Sequence, residues 1–234
     1  MPAASAPEPI HLKPNAELAP RVLLPGDPHR ALAVATDLLE SPKMFNHHRG
    51  LWGYTGPAAD GELLTVQSTG MGGPSAAIVV EELIALGAET LVRIGTCGAF
   101  GGGLALGDVF AVSSALPDDG ASRALGATGP IAPDAALERS LAEAAGREGA
   151  VVSTDLFYDT RDGRMAGWLD AGAIAVEMEC ATLFTLAALR GVATGAVLAV
   201  SDEIAAGRVR IDREALEEVG LALGRTAYAA LSRR

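Results

Sequence analysis

Residues 193–200, Ala-Thr-Gly-Ala-Val-Leu-Ala-Val, form an almost unbroken apolar run that stops at Ser201-Asp202-Glu203. A strand without polar alternation has both faces covered, which calls for a sheet with helices on either side. Shorter apolar runs at 21–24, 89–94, 150–153 and 173–176 repeat the theme, and 108–114 reads as another strand. Helical patterns lie between them at 29–39, 75–86, 135–147 and 180–190, and from Asp212 to about Leu231. Residues 51–55 and 62–68 read as a hairpin about Asp60-Gly61, a strong turn dipeptide. Residues 117–133 are expected as loop, and 154–159 as the start of a polar loop able to act as a lid. Strands and helices alternate without repeats, so the class is α/β around a central, largely parallel sheet.

In such folds ligands bind beyond the carboxyl ends of the strands, and there the chemistry-bearing residues gather. Two carboxylates, Glu177 and Glu179, flank Met178 between a short strand and a helix. They read either as a solvated turn or as a sugar site in which Glu179 accepts from two adjacent hydroxyls, since a carboxylate only accepts hydrogen bonds, with Met178 packed on the sugar face. Pro25-Gly26-Asp27-Pro28 is a strand–turn–helix junction whose free N–H groups can hold an anion. Thr69-Gly70-Met71-Gly72-Gly73-Pro74 opens the next helix, its glycines allowing close approach of a ligand. Arg93 stands inside an apolar strand that is expected to run into a glycine-rich loop, Gly95-Thr96 onward through the glycine run 101–103. It is either an outward edge residue or, with Thr96, a phosphate clamp, since guanidinium matches phosphate oxygens with paired hydrogen bonds. Phe157 is core filler or a stacking platform in a chain with 4% aromatics. Arg213, in the first turn of the last helix, opposes the helix dipole and hints at a function.

A net charge of −11 argues against nucleic acid and anionic membranes as partners, both of which need a basic footprint. A local arginine cluster still allows a small anionic substrate. Cys97 and Cys180 sit in apolar surroundings without metal-ligand spacing and read as free buried thiols of a reducing compartment. No apolar run approaches about 18 residues, so no membrane span is expected. Residues 1–10 carry three prolines and neither a basic start nor an apolar core; a flexible tail is expected, not a signal peptide. The expected location is cytoplasmic.

Taken together, several motifs resemble the nucleoside phosphorylase family. They are Leu24-Pro25-Gly26-Asp27-Pro28-His29-Arg30, Arg49-Gly50 ahead of Gly53-Tyr54-Thr55-Gly56, Thr69 through Ser75, Arg93-Ile94-Gly95-Thr96-Cys97-Gly98-Ala99 and Val176-Glu177-Met178-Glu179-Cys180-Ala181. The likeness runs from His11 to the last helix. It is nearest to the hexameric purine nucleoside and methylthioadenosine phosphorylases, with uridine phosphorylases a step further off.

The resemblance implies one domain over residues 11–234, a phosphorylase-type mixed β-sheet flanked by α-helices, assembled as dimers and then hexamers. It implies phosphorolysis of purine (deoxy)ribonucleosides to free base and (deoxy)ribose 1-phosphate, with phosphate as co-substrate and no cofactor or metal. Gly26, Arg30, Arg93 and Thr96 would hold phosphate, joined by Arg49 of the adjacent subunit. Met178 and Glu179 would hold the ribose, Glu179 on its 2′ and 3′ hydroxyls, with His11 reaching the 5′ end of a neighbour's substrate. Phe157 would stack on the base, and Asp202, after Ser201, would donate a proton to it. Arg213 would pair with Asp202. The segment between them is shorter than in the purine enzymes, and Arg208 and Arg210 lie in the same loop as substitutes. Alternatives are uridine or methylthioadenosine phosphorylase, a nucleosidase using water, and a non-catalytic nucleoside-binding protein.

Overall fold

The computed structural model describes residues 8–101, 103–205 and 207–232. Residues 1–7 of the expected tail and Gly102 of the glycine run therefore lie outside the described residues.

The chain begins with β1 (Arg21–Leu24) and α1 (Pro28–Leu38). Asp27 accepts from the His29 N–H at 2.8 Å and Pro28 takes the first helical position, so the junction is capped as its residue types dictate. An antiparallel meander follows: β2 (Lys43–Asn46), a 3₁₀ turn (His48–Gly50), β3 (Gly53–Pro57) and β4 (Leu63–Gln67). Then come α2 (Gly73–Ala85), β5 (Thr90–Ala99), β6 (Val109–Asp118), α3 (Gly120–Ala124), α4 (Ala135–Ala145) and β7 (Glu148–Thr154). The chain closes with α5 (Arg164–Asp170), β8 (Ala175–Glu177), α6 (Cys180–Arg190), β9 (Ala193–Glu203), β10 (Val209–Arg210) and α7 (Arg213–Leu231).

Among the described residues all ten strands belong to one sheet, in the order β10-β9-β6-β7-β8-β5-β1-β4-β3-β2, with a further pairing between β9 and β5. That extra pairing closes β5, β9, β6, β7 and β8 into a ring, from which β1, β4, β3 and β2 extend as a wing. The sheet is mixed, not largely parallel as the alternation of elements had implied. β5–β8, β6–β9, β9–β10 and the β2–β3–β4 meander are antiparallel. Alternating strands and helices favour parallel neighbours, but they do not dictate which strand a closing ring brings alongside.

β9 is buried at every position between its two ends, as its apolar run requires. One core lies on the α2–α6 side, around Val80, Leu83, Phe184 and Leu186; the other packs α1, α4 and α7 through Val34, Leu137, Leu141 and Leu223. Each such side chain contributes roughly 1.5–3 kcal/mol by leaving water. Glu82 of α2, itself buried, accepts from the N–H groups of Ile10, His11 and Leu12 and from His11 Nδ1 at 2.7 Å. Residue 10 is thus anchored, where a tail had been expected.

Two further expectations change. The glycine-rich segment after Ile94 is not a loop, because β5 continues through Gly95-Thr96-Cys97-Gly98 to Ala99. Its glycines make room: a Cβ on Gly95 would stand 2.7 Å from the Arg93 guanidinium, which folds back over that face of the strand. Residues 117–133, read as loop, hold the end of β6 and all of α3. Asp119 caps α3 by accepting from the Ser122 N–H at 2.8 Å.

Candidate active site

A cavity of about 530 Å³ opens at one end of the strand ring, within the usual range for small-molecule sites. Gly26, Arg30, Arg93, Thr96, Phe157, Met178, Glu179, Ser201 and Asp202 all line it. Residues up to 176 positions apart in the chain therefore meet in one place.

On the first wall, Pro25 and Gly26 accept from the Thr69 and Gly70 N–H groups at 2.9 and 3.1 Å, tying the two glycine turns together. A Cβ on Gly26 would lie 3.0 Å from the Gly70 carbonyl, so the close approach requires glycine. Arg30, in the first turn of α1, is half-buried. Burial lowers its pKa; Asp27 pulls the other way, and the charge of Arg93 adds to the lowering. Thr96 is half-buried on β5.

Arg93 proves to be neither an edge residue nor a free clamp. It is 5% exposed, with Nε 3.1 Å from Glu177 and NH2 paired to Glu179. Burial would lower its pKa, but the two carboxylates outweigh that and raise it. Glu179 is buried, accepts from the Gly72 N–H at the head of α2, and closes this second wall beside half-buried Met178. Burial pushes the Glu179 pKa up against the pull of Arg93, and neighbouring Glu177 pushes the same way.

Glu177 has no assigned role in the sequence reading, yet it organises this wall. It accepts from the Glu179 N–H at 2.9 Å, the Cys180 N–H at 2.9 Å, Arg93 Nε and the Ser153 hydroxyl. One buried carboxylate therefore caps α6 and sets the arginine. The available signal was its position just ahead of an apolar helix start. Cys97 and Cys180 nearby are free thiols whose pKa values burial raises.

The third wall is the end of β9. Ser201 Oγ stands 2.7 Å from Asp202 Oδ2 and 3.3 Å from the Cys97 carbonyl. Asp202 is 4% exposed. β10 folds back antiparallel on β9 with Arg210 opposite Asp202, placing Arg210 Nε 3.1 Å and Arg208 NH1 3.8 Å from Asp202 Oδ1. The Arg210 contact is an ion pair without hydrogen-bond alignment. Arg213 does not reach the cavity. It lies beyond cap residue Asp212, already in α7, 93% exposed and paired with Glu217 at 3.0 Å. Phe157 is 44% exposed at the cavity mouth, not core filler, with the Arg208 guanidinium 4.1 Å over its ring.

His11 and Arg49 do not line the cavity of their own chain. Arg49 is exposed in the 3₁₀ turn with a left-handed φ of 59°, and His48 Nδ1 lies 3.0 Å from the His11 carbonyl, so both belong to one surface. Among the described residues no group of three or more His, Cys, Asp or Glu could hold a metal ion, and no helix is long and apolar enough to cross a membrane.

Residues 20–232 match the family model described as the phosphorylase superfamily. A Geobacillus kaustophilus protein named purine nucleoside phosphorylase DeoD-type is 40% identical over 203 residues, covering 82% of this chain and 84% of its own length. Alkaliphilus metalliredigens has a protein of the same name that is 39% identical over 200 residues, 82% of this chain and 85% of its own. A third, from Bacillus cereus, is 37% identical over 218 residues, 88% and 91% of the two chains.

Proposed function

This chain belongs to the phosphorylase superfamily, and from that membership we propose that it is a pentosyltransferase that phosphorolyses purine (deoxy)ribonucleosides. The products are the free base and (deoxy)ribose 1-phosphate. The observation that carries the reading is the convergence on one cavity of a glycine turn with two arginines, a buried carboxylate beside a methionine, and a buried aspartate beside an aromatic ring.

Phosphate rests against Gly26, Arg30, Arg93 and Thr96. A guanidinium has five N–H groups, and the carboxylates engage Nε and NH2 of Arg93, so donors remain for an anion. Glu179 accepts from the 2′ and 3′ hydroxyls with Met178 against the ring. As the glycosidic bond breaks, positive charge grows on the sugar and is stabilised by phosphate on one side and Glu179 on the other. The base departs as an anion unless protonated, and Asp202, set by Ser201 and Arg210, delivers that proton. Purines carry a ring nitrogen within reach of such an acid. The loop before the ribose wall holds arginines but no glutamine, in contrast to uridine phosphorylases. Purine over uracil, with 6-amino and 6-oxo bases both accepted, follows.

The arginine charges on the anion wall are offset within one chain: Arg93 is paired with Glu177 and Glu179, and Arg30 feels the charge of Asp27. A phosphate anion needs a further cation, and exposed Arg49 supplies it to a neighbour's site, as His11 supplies the 5′ contact. The working unit is then at least a two-fold dimer, in the hexameric pattern of the family. The cytoplasm, a reducing compartment suited to two free thiols, is its place of action.

The test is turnover of inosine, adenosine, methylthioadenosine and uridine with and without phosphate. Strict phosphate dependence with purines ahead of uridine is expected. Equal turnover in phosphate-free buffer would replace this reading with a nucleosidase, and binding without turnover would replace it with a binding protein.

A further inference from the structure

Thr154 ends β7 and is 3% exposed, yet its hydroxyl finds no hydrogen-bond partner among the described residues. Other buried threonines use theirs: Thr182 on Asp119 at 2.7 Å, Thr185 on the Ala181 carbonyl at 2.6 Å, Thr194 on the Leu91 carbonyl at 3.1 Å. An orphaned buried hydroxyl weakens the fold, where a valine of the same shape would not. Thr154 also lines the cavity.

We propose that the Thr154 hydroxyl is a base-reading group, bonding a polar atom on the six-membered-ring edge of the purine; this rests on the phosphorolysis reading above. Leu156 and Phe157, which follow Thr154 in the chain, and Val176, on the strand paired with β7, also line the cavity and suit the faces of a flat ring. Phosphate and sugar have their own polar groups at the ends of β1, β5 and β8, so the atom that meets Thr154 belongs to the base. In the strand ring β7 and β9 are not neighbours: β6 stands between them on one side, β8 and β5 on the other. Thr154 and Asp202 therefore face the cavity from different walls. With Asp202 at the five-membered ring, Thr154 faces the opposite edge, which carries N1, N3 and the C2 substituent. A hydroxyl both donates and accepts, so it serves a bare ring nitrogen and a 2-amino group alike.

The experiment compares wild type, Thr154→Val and Thr154→Ser. Inosine affinity is measured by calorimetry in phosphate-free buffer, inosine phosphorolysis by rate, and Tm by scanning calorimetry. For Val, the expected results are a Tm unchanged or raised, inosine bound about tenfold more weakly and KM raised about as much, the weight of one buried hydrogen bond. Ser retains most of the affinity. 1-Deaza and 3-deaza purine nucleosides extend the test: one of them binds wild type more weakly than its parent nucleoside but binds Val equally, since the bond it lacks is already gone. Wild-type affinity in the Val variant overturns the proposal, as does a lowered Tm with affinity intact, which marks a structural hydroxyl. Affinity is read without phosphate, so failure of the phosphorylase reading leaves this result interpretable.

Discussion

Replacing Arg210 with alanine tests which arginine serves Asp202. Its Nε lies 3.1 Å from Asp202 Oδ1, where a Coulomb interaction amounts to about 5 kcal/mol at an effective dielectric of about 20. Arg210 is 60% exposed, so solvent screening trims the pair to about 1 kcal/mol in the free protein. A base seated over it displaces water, and a charge-assisted contact then contributes roughly 1.5–3 kcal/mol. Its loss lowers kcat/KM for inosine and adenosine by about tenfold or more. Arg210→Lys keeps the charge but not the planar fork and recovers part of the loss. Arg213→Ala removes an exposed pair with Glu217 that contributes about 0.3–0.5 kcal/mol to helix α7, and leaves kcat/KM within about twofold of wild type. The assay is steady-state phosphorolysis at saturating phosphate, with kcat and KM separated. A slow Arg213→Ala beside an unaffected Arg210→Ala refutes the geometric argument.

Glu177→Gln leaves Arg93 short of a partner and presents an amide to donors, a buried-pair loss of about 3–5 kcal/mol; with about 2–4 °C per kcal/mol at this chain length, Tm falls by about 6–20 °C, and an unchanged Tm refutes the anchoring role. Burial raises the Glu82 pKa, but the N–H groups of Leu12, His11 and Ile10 and the His11 ring outweigh it, and the net shift is downward from 4.5. A depressed carboxylate stabilises the fold above its unfolded pKa and loses that contribution as pH falls through the folded value. Urea midpoints should therefore drop below about pH 4.5 in wild type and less steeply in Glu82→Gln; parallel profiles exclude Glu82 as a source of acid lability. Arg49→Ala and Glu179→Ala are each expected to be inactive, and mixing the two restores partial activity through hybrid sites; mixtures that stay inactive rule out a shared site.

Local chemistry made much of the fold readable. The Asp27-Pro28 junction, the Asp212 cap, the hairpin about Asp60-Gly61 and the bounds of α6 follow from capping, turn and periodicity rules that act within a few residues. The site was readable only in part. Glu179 and Asp202 stood out as carboxylates beside apolar runs, while Glu177 looked like either half of a pair, because its four donors come from β5, β7 and the start of α6.

By itself the sequence determined the class of architecture, a helix-covered sheet, because a run such as 193–200 is stable only when both faces are buried. It also set out the residue types, arginine, carboxylate, methionine and aspartate, that meet in one cavity. Tertiary structure decided the rest. Closure of β5, β9, β6, β7 and β8 into a ring made the sheet mixed and turned a supposed glycine loop into strand. The two-residue strand β10 brought Arg210, and not Arg213, opposite Asp202, and β7 set Thr154 into the cavity with no hydrogen-bond partner among the described residues. These outcomes depend on contacts between residues distant in sequence, and hydrophobic periodicity carries no record of which strands become neighbours.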